Sequence, residues 1–167
     1  MINIVLFQPE IPQNTGNIMR TCAGTDIRLH LIKPLGFSLE DKYLKRSGVN
    51  YIDHCNYTIY EDLDDFFSKN DGDFYYVTRY GKKRYTSMDY SDKSKNIYFV
   101  FGRESTGLPK ELLKDNIDHC IRIPINDNIR ALNLSNCVAI MSFEALRQQN
   151  FDELLEEDPF KVNYLNE

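Results

Sequence analysis

The sequence predicts an α/β domain with a mainly parallel sheet flanked by helices, and three observations lead to that class. Apolar stretches rich in β-branched and aromatic residues alternate along the chain with stretches of helical periodicity. Most of these strands are continuously apolar, as expected of strands buried on both faces by helices. Loops rich in glycine and asparagine follow the strands directly, where open α/β sheets bind their ligands.

Taken in order, Ile2 to Gln8 (INIVLFQ) reads as a buried strand bounded by Pro9 and Pro12. Asn14 or Thr15 is then expected to cap a helix running to about Thr25, with Ile18, Met19 and Cys22 turned inward. Arg28 to Ile32 (RLHLI) forms the second strand, ended by Lys33-Pro34-Leu35-Gly36. A short helix is expected over Glu40 to Ser47, closed by Gly48, and another over Tyr60 to Ser68 with Leu63, Phe66 and Phe67 inward. Phe74 to Thr78 and Ile97 to Phe101 are the clearest strands. A helix from Pro109 to about Lys114 follows the second of these. CIRIPI supplies the last strand and Ser135 to Gln149 the last long helix, with Ser135 or Asn136 as its cap.

The chain has 167 residues, enough for one domain to bury a sizeable core without disulfides or metal. No apolar run approaches the roughly 20 residues that span a bilayer, and the N-terminus lacks the basic and small-residue features of a signal peptide. A cytoplasmic protein without membrane association is expected. Cys22, Cys55, Cys120 and Cys137 form no C-x-x-C pair. The neighbours His54-Cys55 and His119-Cys120 would point to opposite faces of a strand, so no metal site is expected.

The formal charge is −5, but its location matters more than its size. From Phe151 onward six acids face one lysine; removing these from the totals of 25 acidic and 20 basic residues leaves 19 of each in the first 150. The body is neutral and the tail carries the excess, so a nucleic-acid partner remains open. An acidic tail over residues 152–167 would repel RNA.

Gly102 to Gly107 looks like a phosphate loop, yet it lacks the Lys-Ser/Thr ending of a Walker loop, and no G-x-G-x-x-G occurs in the chain. A plain strand-to-helix turn is the alternative reading. Glu104 within it would repel phosphate and suit a ligand with hydroxyls or a positive centre. Asn14 to Arg20 reads either as an N-capped helix with a solvent-facing arginine or as one edge of a cleft, where Arg20 would grip phosphate. Tyr80-Gly81-Lys82-Lys83-Arg84-Tyr85 is either a solvated hairpin tip or a segment that holds a phosphate backbone while a tyrosine stacks on a base. Lys42, Lys45 and Arg46 form a second small basic group.

Three motifs taken together are more informative: Asn14 to Arg20 (NTGNIMR), Phe101 to Leu108 (FGRESTGL), and Ile123 to Ile125 with Ala131 to Asn136 (IPI…ALNLSN). In this order they resemble the SPOUT class of methyltransferases in its SpoU branch, which transfers a methyl group from S-adenosyl-L-methionine to a ribose 2′-hydroxyl of RNA. Within the branch the chain resembles the short enzymes that methylate cytidine or uridine 34, the wobble nucleotide, of certain leucine tRNAs. The likeness covers Met1 to about Phe151 as a single methyltransferase domain and leaves the acidic tail outside.

The resemblance implies a C-terminal deep trefoil knot, a homodimer, and a tRNA partner presented through its anticodon stem-loop. It implies that Val77, Thr78, Gly102, Ile123, Pro124, Ala131 and Leu132 surround the cofactor, with Ala131 standing where relatives often have serine and so contributing only backbone. It implies that Arg20, assisted by Asn14, Glu104, Asn133 and Ser135, serves the reaction. An arginine stays protonated at any working pH, so its expected role is to bind the adjoining phosphate and stabilise the developing alkoxide. Methylation of another tRNA or rRNA position, and a non-catalytic RNA-binding protein on the same scaffold, are the alternatives. A kinase or dehydrogenase would need the fingerprints that are missing.

Overall fold

A computed structural model describes residues 1–39, 52–152 and 154–160. The expected helix over Glu40 to Ser47 and the basic group Lys42, Lys45 and Arg46 lie outside the described residues. Among the described residues seven strands form one sheet: β1 (Ile2–Phe7), β2 (Arg28–Ile32), β3 (Tyr57–Tyr60), β4 (Asp73–Val77), β5 (Lys83–Arg84), β6 (Ile97–Phe101) and β7 (Cys120–Arg122). Their order is β3-β2-β1-β6-β4-β7-β5 and every pairing is parallel. The α-helices among the described residues are α1 (Pro12–Thr25), α2 (Leu63–Lys69), α3 (Lys110–Asp115) and α4 (Leu134–Gln148).

The central strands explain why their sequences are continuously apolar. On β1 and β6 every residue is buried, and alternate side chains enter opposite cores. Ile2, Ile4 and Leu6 join Ile97, Phe99 and Phe101 on the face that also takes Ile18 and Cys22 from α1 and Val138, Met141 and Ala145 from α4. Val5 and Phe7 join Tyr98 and Val100 on the other face, beneath Phe66 of α2 and Leu108. Phe66 is fully buried and meets Tyr60, Phe67, Phe74 and Tyr98 edge-on at centroid distances of 5.1 to 6.0 Å. On the same face His30 bridges the Tyr60 hydroxyl (2.9 Å) and Asn3 Oδ1 (3.1 Å), so its imidazole is buried with both nitrogens engaged. Burial, with a smaller effect from Arg28, pushes it down to about 4, and it is neutral at pH 7.

Four boundaries depart from the sequence reading. Gln8 is not the last residue of β1 but turns into the left-handed region at φ 49°, directing the chain over the sheet edge. Tyr57 to Tyr60 is an edge strand, and the helix expected from Tyr60 begins at Leu63, where the Asp62 carboxylate accepts from the Asp65 N–H at 2.8 Å. β7 stops at Arg122, leaving Ile123-Pro124-Ile125 outside the strand. Lys83 and Arg84 pair in parallel with Ile121 and Arg122, so the basic segment is an edge strand and not a hairpin tip. A hairpin requires antiparallel neighbours.

Candidate functional site

The carboxyl ends of β4, β6 and β7 open onto one cleft of about 590 Å³, at the edge where parallel α/β sheets place ligands. Val77 and Thr78 end β4, Phe101 and Gly102 end β6, and Ile123 follows β7. Ala131, Leu132 and Asn133 approach from the loop before α4, and Asn14 from α1. Three loops distant in sequence therefore share one wall.

A chain of hydrogen bonds fixes those loops to one another. The Glu104 carboxylate accepts from the Glu10 N–H (2.9 Å), the Ile11 N–H (3.2 Å) and Asn14 Nδ2 (3.1 Å). Asn14 Oδ1 then accepts from Asn133 Nδ2 at 2.9 Å, and Asn133 Oδ1 accepts from the Ser135 N–H (2.9 Å) and Oγ (2.7 Å). Glu10 returns the contact, accepting from the Ser105 N–H at 2.9 Å and Oγ at 2.7 Å. These Ser105 bonds hold the Glu10 carboxyl below its ordinary range.

This network changes two expected caps. The N-cap of α1 is Ile11, which has no side-chain cap, and Asn14 and Thr15 are buried one turn inside the helix. The negative charge favoured at a helix start comes instead from Glu104, 90 residues away from Asn14 in sequence. The cap of α4 is Asn133, not Ser135 or Asn136, because a capping oxygen serves the N–H two residues on, here that of Ser135.

Gly102 is needed by the loop itself. The loop folds back through paired bonds between Arg103 and Gly107 (3.2 and 2.9 Å), and a Cβ on Gly102 would stand 2.1 Å from the Gly107 carbonyl carbon. Gly107 in turn adopts φ +75°, which favours glycine.

Of the residues singled out from the sequence, Asn14, Val77, Thr78, Gly102, Glu104, Ile123, Ala131, Leu132 and Asn133 line the cleft. Pro124 and Ser135 do not, although each adjoins a lining residue or is bonded to one. Arg20 lies outside the lining too, exposed on α1 six residues beyond Asn14. Three arginines outside the motifs, Arg79, Arg122 and Arg130, line the cleft, as do Arg103 of the Phe101 to Leu108 motif and Tyr80 of the basic segment. Scattered in sequence at the ends of different strands and loops, the three outside the motifs share no spacing that could have marked them. Among the described residues no group of His, Cys, Asp and Glu could hold a metal, and no helix is long and apolar enough to cross a membrane.

Fold and cleft together define an α/β domain with a cavity at the carboxyl edge of a parallel sheet, between loops locked by an asparagine–glutamate network. Residues 1–143 match the SpoU rRNA Methylase family, and the chain belongs to that family. A relative from Geobacillus stearothermophilus, provisionally named as a tRNA (cytidine(34)-2′-O)-methyltransferase, is 61% identical over 154 residues, covering 92% of this chain and 98% of its own. A solved structure concerned with the 2-OH methylation of C/U34 on tRNA is 35% identical with a TM-score of 0.83, covering 90% of this chain and 97% of that one. An AdoMet-bound rRNA methyltransferase from Sinorhizobium meliloti is 25% identical with a TM-score of 0.77, over 87% of this chain and 56% of its own.

Proposed function

We propose that this protein methylates the ribose 2′-hydroxyl of nucleotide 34, cytidine or uridine, in leucine tRNAs, using S-adenosyl-L-methionine. The observation that carries the reading is the network joining all three motif loops around one cleft, in a chain that aligns nearly end to end with relatives named for this activity. The proposal comprises one SPOUT methyltransferase domain over residues 1–151, knotted in its C-terminal part, an acidic tail over 152–167, and a cytoplasmic homodimer that engages the anticodon stem-loop.

The cleft fits the cofactor. Its volume falls within the roughly 300–1,000 Å³ of small-molecule sites, and half-buried Val77, Ile123, Leu132 and Cys137 offer apolar surface beside exposed loop backbone. Val77, Thr78, Gly102, Ile123, Ala131 and Leu132 would hold it, with Pro124 shaping the turn after Ile123. When bound, S-adenosyl-L-methionine supplies a methyl group on a sulfonium centre that is already a strong electrophile.

The chain's remaining task is to align the ribose oxygen and stabilise its negative charge as the proton leaves. Arg20 is the proposed group, acting on the RNA phosphate and the developing alkoxide; its exposed position on α1 suits contact with an incoming strand. Asn14, Glu104, Asn133 and Ser135 act as positioning residues, since their polar atoms are engaged with one another. The half-exposed Phe143 and the half-buried Ala139 and Ile140 give α4 an apolar outer surface that supports a second subunit there.

Methylation of total tRNA with labelled cofactor, followed by mapping of the modified nucleotide, tests the proposal. Label at nucleotide 34 of leucine tRNAs is expected. Label elsewhere in tRNA or in rRNA would keep the chemistry and replace the substrate. RNA binding without methylation would leave a non-catalytic protein.

A further inference from the structure

The Gly102 to Leu108 loop has a second cavity on its far side, of about 810 Å³, whose floor and outer rim lie outside the site described above. Its floor is apolar: Phe7 and Leu108 are buried, and Leu113 is half-buried. Its rim is cationic and aromatic, with Lys110 and Lys114 exposed, Arg103 half-buried and Tyr80 66% exposed. Arg103 stands over the Phe7 ring at 5.5 Å, and no acid among the described residues pairs with it or with Lys110 within ion-pair distance. Lys114 meets Glu111 at 3.2 Å, but both side chains are largely exposed and such a pair holds weakly.

An apolar floor with a cationic rim, where only Lys114 has an ion-pair partner among the described residues, matches an unpaired nucleotide, whose base is flat and apolar on its faces and whose phosphate is anionic. Thr78, Tyr80, Arg103, Thr106, Gly107 and Leu108 line both cavities, so an occupant of the second lies one loop away from the first. Tyr80 is held in place: the Arg79 guanidinium sits 4.7 Å from its ring centroid and donates to its hydroxyl at 2.5 Å. With Arg79 engaged on this ring, the rest of its exposed surface is available to a base.

We propose that the cavity between the Gly102 to Leu108 loop and α3 receives the base of a nucleotide flanking the methylated one, with Lys110 and Lys114 on its phosphate. The proposal rests on the RNA methyltransferase reading and adds a specificity subsite to it. The flanking base would be splayed out of its stack, which restricts substrates to single-stranded loops.

The test compares binding of an anticodon stem-loop RNA with the same RNA made abasic at each neighbour of nucleotide 34. Loss of one flanking base is expected to weaken binding to the wild-type protein roughly ten-fold, as for a single stacked base. In Ile117→Trp, which fills the cavity from its exposed wall, intact and abasic RNA should bind alike. Lys110→Ala/Lys114→Ala should lower the slope of log affinity against log salt by about 0.7, as expected for one lost phosphate contact on a single strand. Unchanged S-adenosyl-L-methionine binding by both variants would confirm that they fold. A wild-type protein indifferent to both abasic sites, or an Ile117→Trp variant that still discriminates, would overturn the proposal. Because binding is read without turnover, an RNA that binds with this pattern and is never methylated would instead count against the methyl-transfer reading alone.

Discussion

Asn133 holds two loops through one amide. Its oxygen caps α4, while its nitrogen donates to Asn14, whose own nitrogen is committed to Glu104. Asn133→Ala removes the cap and should cost about 1 kcal/mol of stability in denaturant unfolding. Asn133→Asp keeps an oxygen for the cap but sets a carboxylate against Asn14 Oδ1, which cannot turn away without releasing Glu104. Calorimetry should therefore show a larger loss of cofactor affinity for Asn133→Asp, with a smaller loss of melting temperature, than for Asn133→Ala. Arg20 makes the opposite prediction. Arg20→Ala should lower kcat by about 10²–10³-fold, as for removal of one donor to a developing oxyanion, with cofactor affinity kept and partial activity in Arg20→Lys. Equal loss of cofactor binding would move Arg20 from the reaction to the fold.

On β2, His30 is folded in its neutral form, with its value lowered from 6.5 to about 4. The unfolded chain binds a proton below about 6.5 and the folded chain does not until about 4, so stability falls as pH drops through that window. The loss reaches at most about 3 kcal/mol near pH 4, because each pH unit between the two values contributes about 1.4 kcal/mol. Denaturant midpoints from pH 7 to 4 should show that slope, and His30→Gln should flatten it. In the loop after β6, the two glycines differ in kind. A Cβ at Gly102 collides with backbone, whereas at Gly107 it meets open space and only the positive φ resists it. Gly107→Ala should cost about 1–2 kcal/mol, the usual penalty of a left-handed residue with a side chain. Gly102→Ala should cost more and weaken cofactor binding, because the paired bonds between Arg103 and Gly107 cannot close around it.

At the scale of the molecule, α4 couples cleft and assembly. Its inner face, with Val138, Met141, Ala145 and Leu146 buried, packs on α1 and the sheet, while Phe143 on its outer face is 49% exposed. In the proposed dimer Phe143 lies in the interface, so Phe143→Glu should yield a folded monomer in sedimentation velocity with unchanged far-ultraviolet circular dichroism. A variant that stays dimeric would place the interface elsewhere. Two contacts lie just past Phe151: Asp152 pairs with Lys93, and Leu154 packs against the main core. The core thus makes contact with the chain as far as Leu154, within the acidic stretch.

The sequence by itself determined the parallel class, because a strand such as IYFVF, apolar at every position, is stable only when both faces are covered. It also determined the family, because three motifs in order carry their residue types without reference to distance. What it left open were the short edges. Tyr57 to Tyr60 buries one side chain well, and Lys83-Arg84 none, so neither has a hydrophobic pattern to declare it a strand. Only the tertiary structure decided what Glu104 and Asn14 do. A helix start at Ile11 satisfied by a carboxylate more than 90 residues away has no local signature, and the local rule chose Asn14 or Thr15 as cap instead. Arg79, Arg122 and Arg130 of the cleft are illegible for the same reason: side chains that meet only because parallel strands end at one edge leave no trace in their spacing.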